Sequence, residues 1–483
     1  MSRKQTCPVT QVASAVSLPD YEHMTSSVGN RRRKPRRSRI MRSLSLGQTL
    51  ARIFFGYKVI GLMQKRRGPT WGWQRRSRHH RWSAERLYAT AIRNQGLLIK
   101  TAQFLSSRPD IVPEEYIEVL SRLQDEVPPE PFPVIQRVIE AELGQPLDVL
   151  FRSFEQEPVA SASLAQVHRA VLHDGRVAAV KVQYPGIEKL VAGDLKNHRR
   201  FIRWLNRLDK RVDFSFVAEE MSRQIPLELD FIAEGHNAER IAANFAGVED
   251  IVVPKVYWEH TTRRVLTMQF AEGVKISDAA GIERMGIRTA DVAKVLIVAF
   301  SEMLVKHGLF HADPHPGNLL VIPGPKLVLL DFGQVKEVGP QFRLLFGQMT
   351  HALLSHDRTT LGESFRGLGF RMKEDTAEGY EGLGQAYLGD LASEMLDNNA
   401  GWASPQMFQA SYRDLLSLLR SNPLIKIPPD LLFVGRVMGL LNGLSMTLRS
   451  RTNMMVEMAR ILDTPGASVV AGDSPKTRRL LEA

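Results

Sequence analysis

The spacing of three polar residues constrains this chain more than any other feature. Asp313 is followed five residues later by Asn318, and Asn318 thirteen residues later by Asp331, in the stretches "HADPHPGNLL" (311–320) and "LLDFGQV" (329–335). Between them "LLVIPGPKLVLL" (319–330) reads as two short apolar strands turning at Pro323-Gly324. A hairpin of that length returns the chain on itself and brings Asn318 and Asp331 together.

Two chemistries compete for these residues. His311 and His315 are four apart, a spacing that on a helix would offer two metal ligands on one face. Pro314, Pro316 and Gly317 argue against a helix, and no third ligand follows. The other reading is a phosphoryl-transfer loop, in which an Asp, an Asn five residues on and the Asp of an Asp-Phe-Gly triplet recur together. There Asp313 takes or orients the nucleophile's proton, and Asn318 and Asp331 share magnesium. His311 then supports the loop.

The rest of such a site is expected upstream. "AVLHDGRVAAVKVQYPG" (170–186) alternates as a β-hairpin with Asp174-Gly175 at its turn, placing Lys181 on a strand where it can reach the α- and β-phosphates of ATP. The preceding loop "VASASLAQVH" (159–168) offers Ala160, Ser161, Ala162 and Ser163 to the phosphates in place of glycines. "MQFAEG" (268–273) fits a hinge, with Met268 behind the adenine and Phe270 on extended backbone beside it. Lys181 needs a carboxylate partner. Glu228 in "LELDF" is the first candidate and Asp230 the next, with Glu219, Glu220 and Glu234 as competitors.

The charge is unevenly shared. Residues 1–81 hold 19 Lys and Arg against two acids, while the remainder holds 45 against 50. The only cysteine, Cys7, excludes an internal disulfide and points to a reducing compartment. We expect a cytoplasmic protein, peripheral on the inner surface of a membrane. The Arg- and Ser-rich start leaves organelle targeting open. Neither 44–63 nor 431–447 is an uninterrupted apolar run of spanning length. The first, with its basic flanks, can instead lie on an anionic membrane surface. Nucleic acid is not expected as a partner, because the basic run lacks interleaved aromatics; a homodimer is left open.

The chain is expected to divide into a basic, partly disordered region (1–83), a helical extension (84–149), an N-lobe (150–273), a helix-rich C-lobe (274–463) and a tail (464–483). "LIKTAQFLSSRPDIVPEEYIEVLSRLQDEVPP" (98–129), "ASASLAQVH", "ELD", "HADPHPGN" and "DFG" together resemble the UbiB, or AarF-domain, family of atypical kinase-like proteins. The resemblance covers about 84–450. It implies an α+β, two-lobed protein-kinase-like fold with the extension folded over the active site. It also implies that Lys100 and Gln103 cover the place where a protein substrate would enter, that Lys181 pairs with Glu228, and that Asn318 and Asp331 hold Mg2+ beside Asp313. The implied activity is an ATPase or phosphoryl transfer supporting ubiquinone or other isoprenoid-lipid metabolism at a membrane.

Two positions depart from the family pattern: Ala102 stands where its Lys-x-Gly-Gln motif has glycine, and Ser161 and Ser163 enter its alanine-rich loop. The competing functions are a small-molecule kinase of the aminoglycoside or choline kinase type, and a nucleotide-binding pseudokinase.

Overall fold

A computed structural model describes residues 39–94, 97–106, 112–124, 129–208, 222–223, 225–384, 418, 421–426 and 428–464. Residues 1–38 of the partly disordered region expected at 1–83, most of the tail, and the "RPD" and most of the "VPP" of the extension signature lie outside these residues.

The described residues open with a helical hairpin, α1 (Arg39–Arg67) and α2 (Pro69–Asn94). α2 runs unbroken through residue 83, where the sequence reading set a boundary. α3 (Leu97–Ser106) and α4 (Glu114–Leu120) complete the extension, whose small core joins Ala84, Ala91, Ile99, Ala102, Val119, Leu120 and Leu123. The methyl of Ala102 is part of that core. Arg42, buried on α1, donates to the Asn94 carbonyl and to Asp194 on α6 (Ile187–Leu208), which ties the hairpin to the N-lobe. Between them α5 (Phe132–Leu143) ends at Gly144, as its sequence signals.

The N-lobe sheet runs β1 (Ser153–Phe154), β3 (Ala165–Val171), β4 (Val177–Gln183) and β6 (Val265–Gln269), with β2 (Ala160–Ser161) also on β3. Asp174-Gly175 turns the β3–β4 hairpin, and the φ of +88° at Gly175 is one that a side chain would strain. Ala178, Val180 and Val182 bury one face of β4 in the N-lobe core. Strand alternation sends Lys181 to the other face.

The C-lobe is built on α8 (Thr289–Ser301), a turn of π-helix (Glu302–His307), and a second sheet of β5 (Ile251–Val252), β7 (Val274–Lys275), β9 (Leu319–Ile322) and β10 (Lys326–Leu329). Gly308 ends the π-turn at φ +68°, with the Val338 carbonyl 2.9 Å from where a Cβ would stand. The chain then enters β8 (Leu309–His311), which pairs with β11 (Val335–Glu337). Behind this sheet pack α9 (Pro340–Leu354), α10 (Arg358–Leu368), α11 (Pro429–Thr447) and α12 (Met454–Leu462). This is the two-lobed α+β arrangement expected.

A buried polar chain fastens the extension's linker to the N-lobe. The Glu130 N–H donates to Gln166 Oε1 at 2.9 Å, and Gln166 Nε2 lies 2.8 Å from His168 Nε2. His168 Nδ1 is 2.8 Å from the Glu155 carbonyl, so that nitrogen carries the proton and Nε2 accepts from Gln166. Burial, working against the Glu155 carbonyl, holds the imidazole below its ordinary value. A protonated ring would set a donor on Nε2 against the Gln166 donor. The stability from this group is therefore present above its ordinary pKa and lost as pH falls below it. Apparent Tm is expected to fall as pH drops below about 6.5. His168→Gln should make that fall shallower in thermal melts; an unchanged slope would show that His168 contributes nothing to it.

Candidate functional site

Lys181 leaves β4 on the face covered by α7 (Phe231–Asn244), and its ammonium lies 5.2 Å from the centre of the Phe231 ring. Asp230 is the N-cap of α7, its Oδ1 accepting from the Ala233 N–H at 3.1 Å. The cap fixes the phase of the helix and puts Glu234 in its first turn, one position along the face from Phe231. Glu234 is buried, and its Oε1 is 2.7 Å from Lys181 Nζ. The carboxylate partner of Lys181 is thus Glu234, and the expected pairing with Glu228 is corrected. Asp230 serves as a helix cap, with Arg263 at 3.8 Å. Glu219 and Glu220 lie outside the described residues.

The second half of the site comes from the loop after β8. His311 is fully buried: its Nε2 is 3.0 Å from the Leu330 carbonyl and its Nδ1 accepts the Asp313 N–H at 3.2 Å. It thereby clamps the Asp313 backbone to the strand that delivers Asp331. His315 Nδ1 accepts from the Gly317 N–H and shapes the 3-10 turn Pro316–Asn318. The Asn318 amide nitrogen donates to the Asp313 carbonyl at 3.2 Å, which orients its side chain. Its backbone carbonyl accepts from Leu330 at 2.9 Å, next to Asp331. The β9–β10 hairpin pairs Leu319 with Leu329, as the spacing required. Asp331 itself sits at φ +56°, a left-handed conformation uncommon for a side-chain residue. Its Oδ1 accepts from the Gly333 N–H and its Oδ2 lies 3.4 Å from Lys181 Nζ. Among the described residues no three His, Cys, Asp or Glu gather as a metal site, and both ring nitrogens of His311 are taken up by backbone groups.

Two further cations enter from outside the lobes' motif strands. Lys100, on α3, forms a 2.8 Å ion pair with Glu228, whose other oxygen accepts from Gln334 at 2.7 Å. Glu228 therefore binds the extension to the turn after Asp331. Gln103 stays within the extension, its amide donating to the Leu123 carbonyl at 2.9 Å. Arg436, from α11, lies 2.8 Å from Asp313 Oδ1. In the sequence Arg436 was only an interruption of an apolar helix. A lone charge among the buried Val434, Val437, Leu441 and Leu444 was the available signal.

The nucleotide end is shaped by the glycine-free loop and the hinge. Ala160 and Ser161 form β2, and Ser161 Oγ is 2.8 Å from the Tyr184 hydroxyl, which in turn donates to the Ala162 carbonyl. Ser163 is buried in the turn closed by Ala162 N–H and the Ala165 carbonyl. Met268 packs half-buried against the C-lobe core. The Phe270 N–H donates to the Val177 carbonyl, and the Arg169 guanidinium lies 5.5 Å from the Phe270 ring.

These charges depend on one another. Burial opposes the charge on Asp331, but Lys181, Lys100 and the Gly333 N–H hold its carboxyl at about 2. Burial dominates at Glu234, which rises to about 7 despite Lys181. Lys181 and Lys100 are both raised: their carboxylates outweigh the cost of burial. With Glu234 ionised, Lys100, Lys181 and Arg436 face Glu228, Glu234, Asp313 and Asp331, an excess of one negative charge that is lost as Glu234 takes up its proton near pH 7. Asn318 and Asp331 bring hard oxygen donors to this slightly anionic place, the chemistry magnesium selects, with phosphates and water completing its shell.

The model of the ABC1 atypical kinase-like domain matches residues 122–365. AarF domain-containing protein kinase 1 of Mus musculus is 34% identical over 73% of this chain and 71% of its own length; that of Xenopus tropicalis is 36% identical over the same shares. An uncharacterized protein of Synechocystis is 33% identical over 79% of this chain and 66% of its own. A solved Mycobacterium tuberculosis structure, titled the complex structure of Rv3197-erythromycin, superposes with a TM-score of 0.56 at 24% identity, covering 78% of this chain and 94% of that one, and shows the shared fold. With the domain spanning half its length and about a third of the aligned residues identical to the kinase-named relatives over 73% of the chain, the chain belongs to the UbiB, or AarF, family of ABC1 atypical kinase-like proteins.

Proposed function

We propose that the protein binds ATP with Mg2+ between its lobes and catalyses ATP hydrolysis or phosphoryl transfer, in support of isoprenoid-lipid (ubiquinone-type) metabolism at a membrane. The observation that carries the nucleotide part is the Lys181–Glu234 pair with Asp331 3.4 Å away, set beside Asn318 and Asp313. The lipid part rests on the family resemblance.

Magnesium, when bound, would neutralise charge developing on the phosphates. Asn318 and Asp331 would hold it. Lys181, oriented by Glu234, would hold the α- and β-phosphates. Asp313 would orient the attacking hydroxyl. The Arg436 guanidinium beside it fixes the direction of that carboxylate, and stands where a cation can stabilise the transferred group. The Lys100–Glu228 ion pair joins the extension to the turn after Asp331. That closure favours water or a small acceptor over a folded protein.

Asp331→Asn is expected to weaken Mg-dependent ATP binding by at least roughly tenfold in titration calorimetry. Unchanged binding would sink the metal assignment. Arg436→Gln should lower kcat by roughly a hundredfold with little change in the KM for ATP; a rise in KM alone would place Arg436 in ground-state nucleotide binding. Glu234→Gln should weaken nucleotide binding more than Asp230→Asn, which removes only a cap charge. Equal effects would undo the reassignment of the lysine's partner.

A further inference from the structure

We propose that the outer face of α1 docks on an anionic lipid bilayer. The inner face of this helix is already occupied. Arg42, Ser45 and Ile53 are buried, Thr49 meets Thr90 at 3.0 Å, the Tyr57 hydroxyl meets that of Tyr116 at 3.0 Å, and His79 reaches the Ile53 carbonyl. A helix packed on one side ordinarily turns polar side chains to water on the other. Here the opposite side carries Leu44, Phe55, Val59 and Leu62, which are 60%, 64%, 53% and 66% exposed. At 3.6 residues per turn the four fall within about 60° of one another, along a line of about 27 Å.

Arg52 and Lys58, both exposed, border the line on either side, and Lys65, Arg66 and Arg67 end the helix. Just past the bend, Trp71 lies 5.5 Å from Arg67 and 5.7 Å from Arg75, and Trp73 is 73% exposed. Residues 39–94 hold 13 Lys and Arg against one acid, Glu85.

The charge chooses the occupant. A second copy of the chain would cover the apolar line but would set two strongly positive hairpins against each other within a Debye length of about 8 Å. A nucleic acid would satisfy the cations and leave the apolar line in water. An anionic bilayer accommodates both: the apolar side chains enter the headgroup–acyl boundary, the cations lie among the phosphates, and tryptophans favour that depth.

This deepens the membrane part of the proposed function and does not depend on the nucleotide part. The test is co-sedimentation of the full chain with vesicles of phosphatidylcholine alone or mixed with phosphatidylglycerol. The unaltered protein should bind the mixed vesicles and release at high salt. The triple variant Phe55→Ser, Val59→Ser, Leu62→Ser should lose roughly tenfold or more in binding. The pair Arg52→Gln, Lys58→Gln should lose a comparable factor, with a weaker dependence on salt. Both variants should keep the cooperative thermal melt of the unaltered protein, which reports that they fold.

Wild-type-like sedimentation of the triple variant would overturn the proposal while leaving membrane association standing. No binding by the unaltered protein would overturn both. A stable dimer abolished by the triple variant would assign the face to a second copy. Salt-sensitive binding of duplex RNA without vesicle binding would assign the charge to nucleic acid.

Discussion

A lysine and a glutamate taken out of water together are held there only by close approach, since each loses several kcal/mol of hydration. Lys181 and Glu234 meet at 2.7 Å, one from a strand of the N-lobe and the other from the first turn of α7. The burial that raises Glu234 to about 7 also makes Lys181 its necessary neighbour. Asp331 then approaches the same ammonium from the C-lobe. One cation thus sets the distance between the two lobes' working groups.

Around this centre the extension acts as a third wall. Its Lys100 reaches Glu228 and, through Glu228, the turn at Gln334. Glu228 and Glu234 stand six residues apart on either side of the Asp230 cap and serve different lysines. The cap separates them: Glu228 precedes the helix, whereas Glu234 belongs to the face that Phe231 packs. Removing Asp230 would therefore disturb a division of labour and not a direct contact with nucleotide.

Local spacing made half of the site legible in the sequence. Asp313, Asn318 and Asp331 are joined by one hairpin whose length and turn residues can be read off the chain. The β3–β4 turn at Gly175 and the helix stop at Gly144 are equally local. The partner of Lys181 was not legible, because the choice among nearby carboxylates depends on helix phase. Asp230 was the available clue, read as a second candidate partner of the lysine when its chemistry was that of a cap. Gln103 was assigned by resemblance to the mouth of the site, yet its amide serves the Leu123 carbonyl, a contact twenty residues away within the extension. Arg436 was the least legible, since 123 residues separate it from Asp313.

That separation has its own consequence. Every motif by which the kinase-like core is recognised lies before residue 334, while the guanidinium beside Asp313 arrives on α11, beyond residue 428. During synthesis the residues that mark the kinase-like core therefore emerge before the guanidinium that pairs with Asp313. Completion of the last helices is what turns a recognisable core into a finished site.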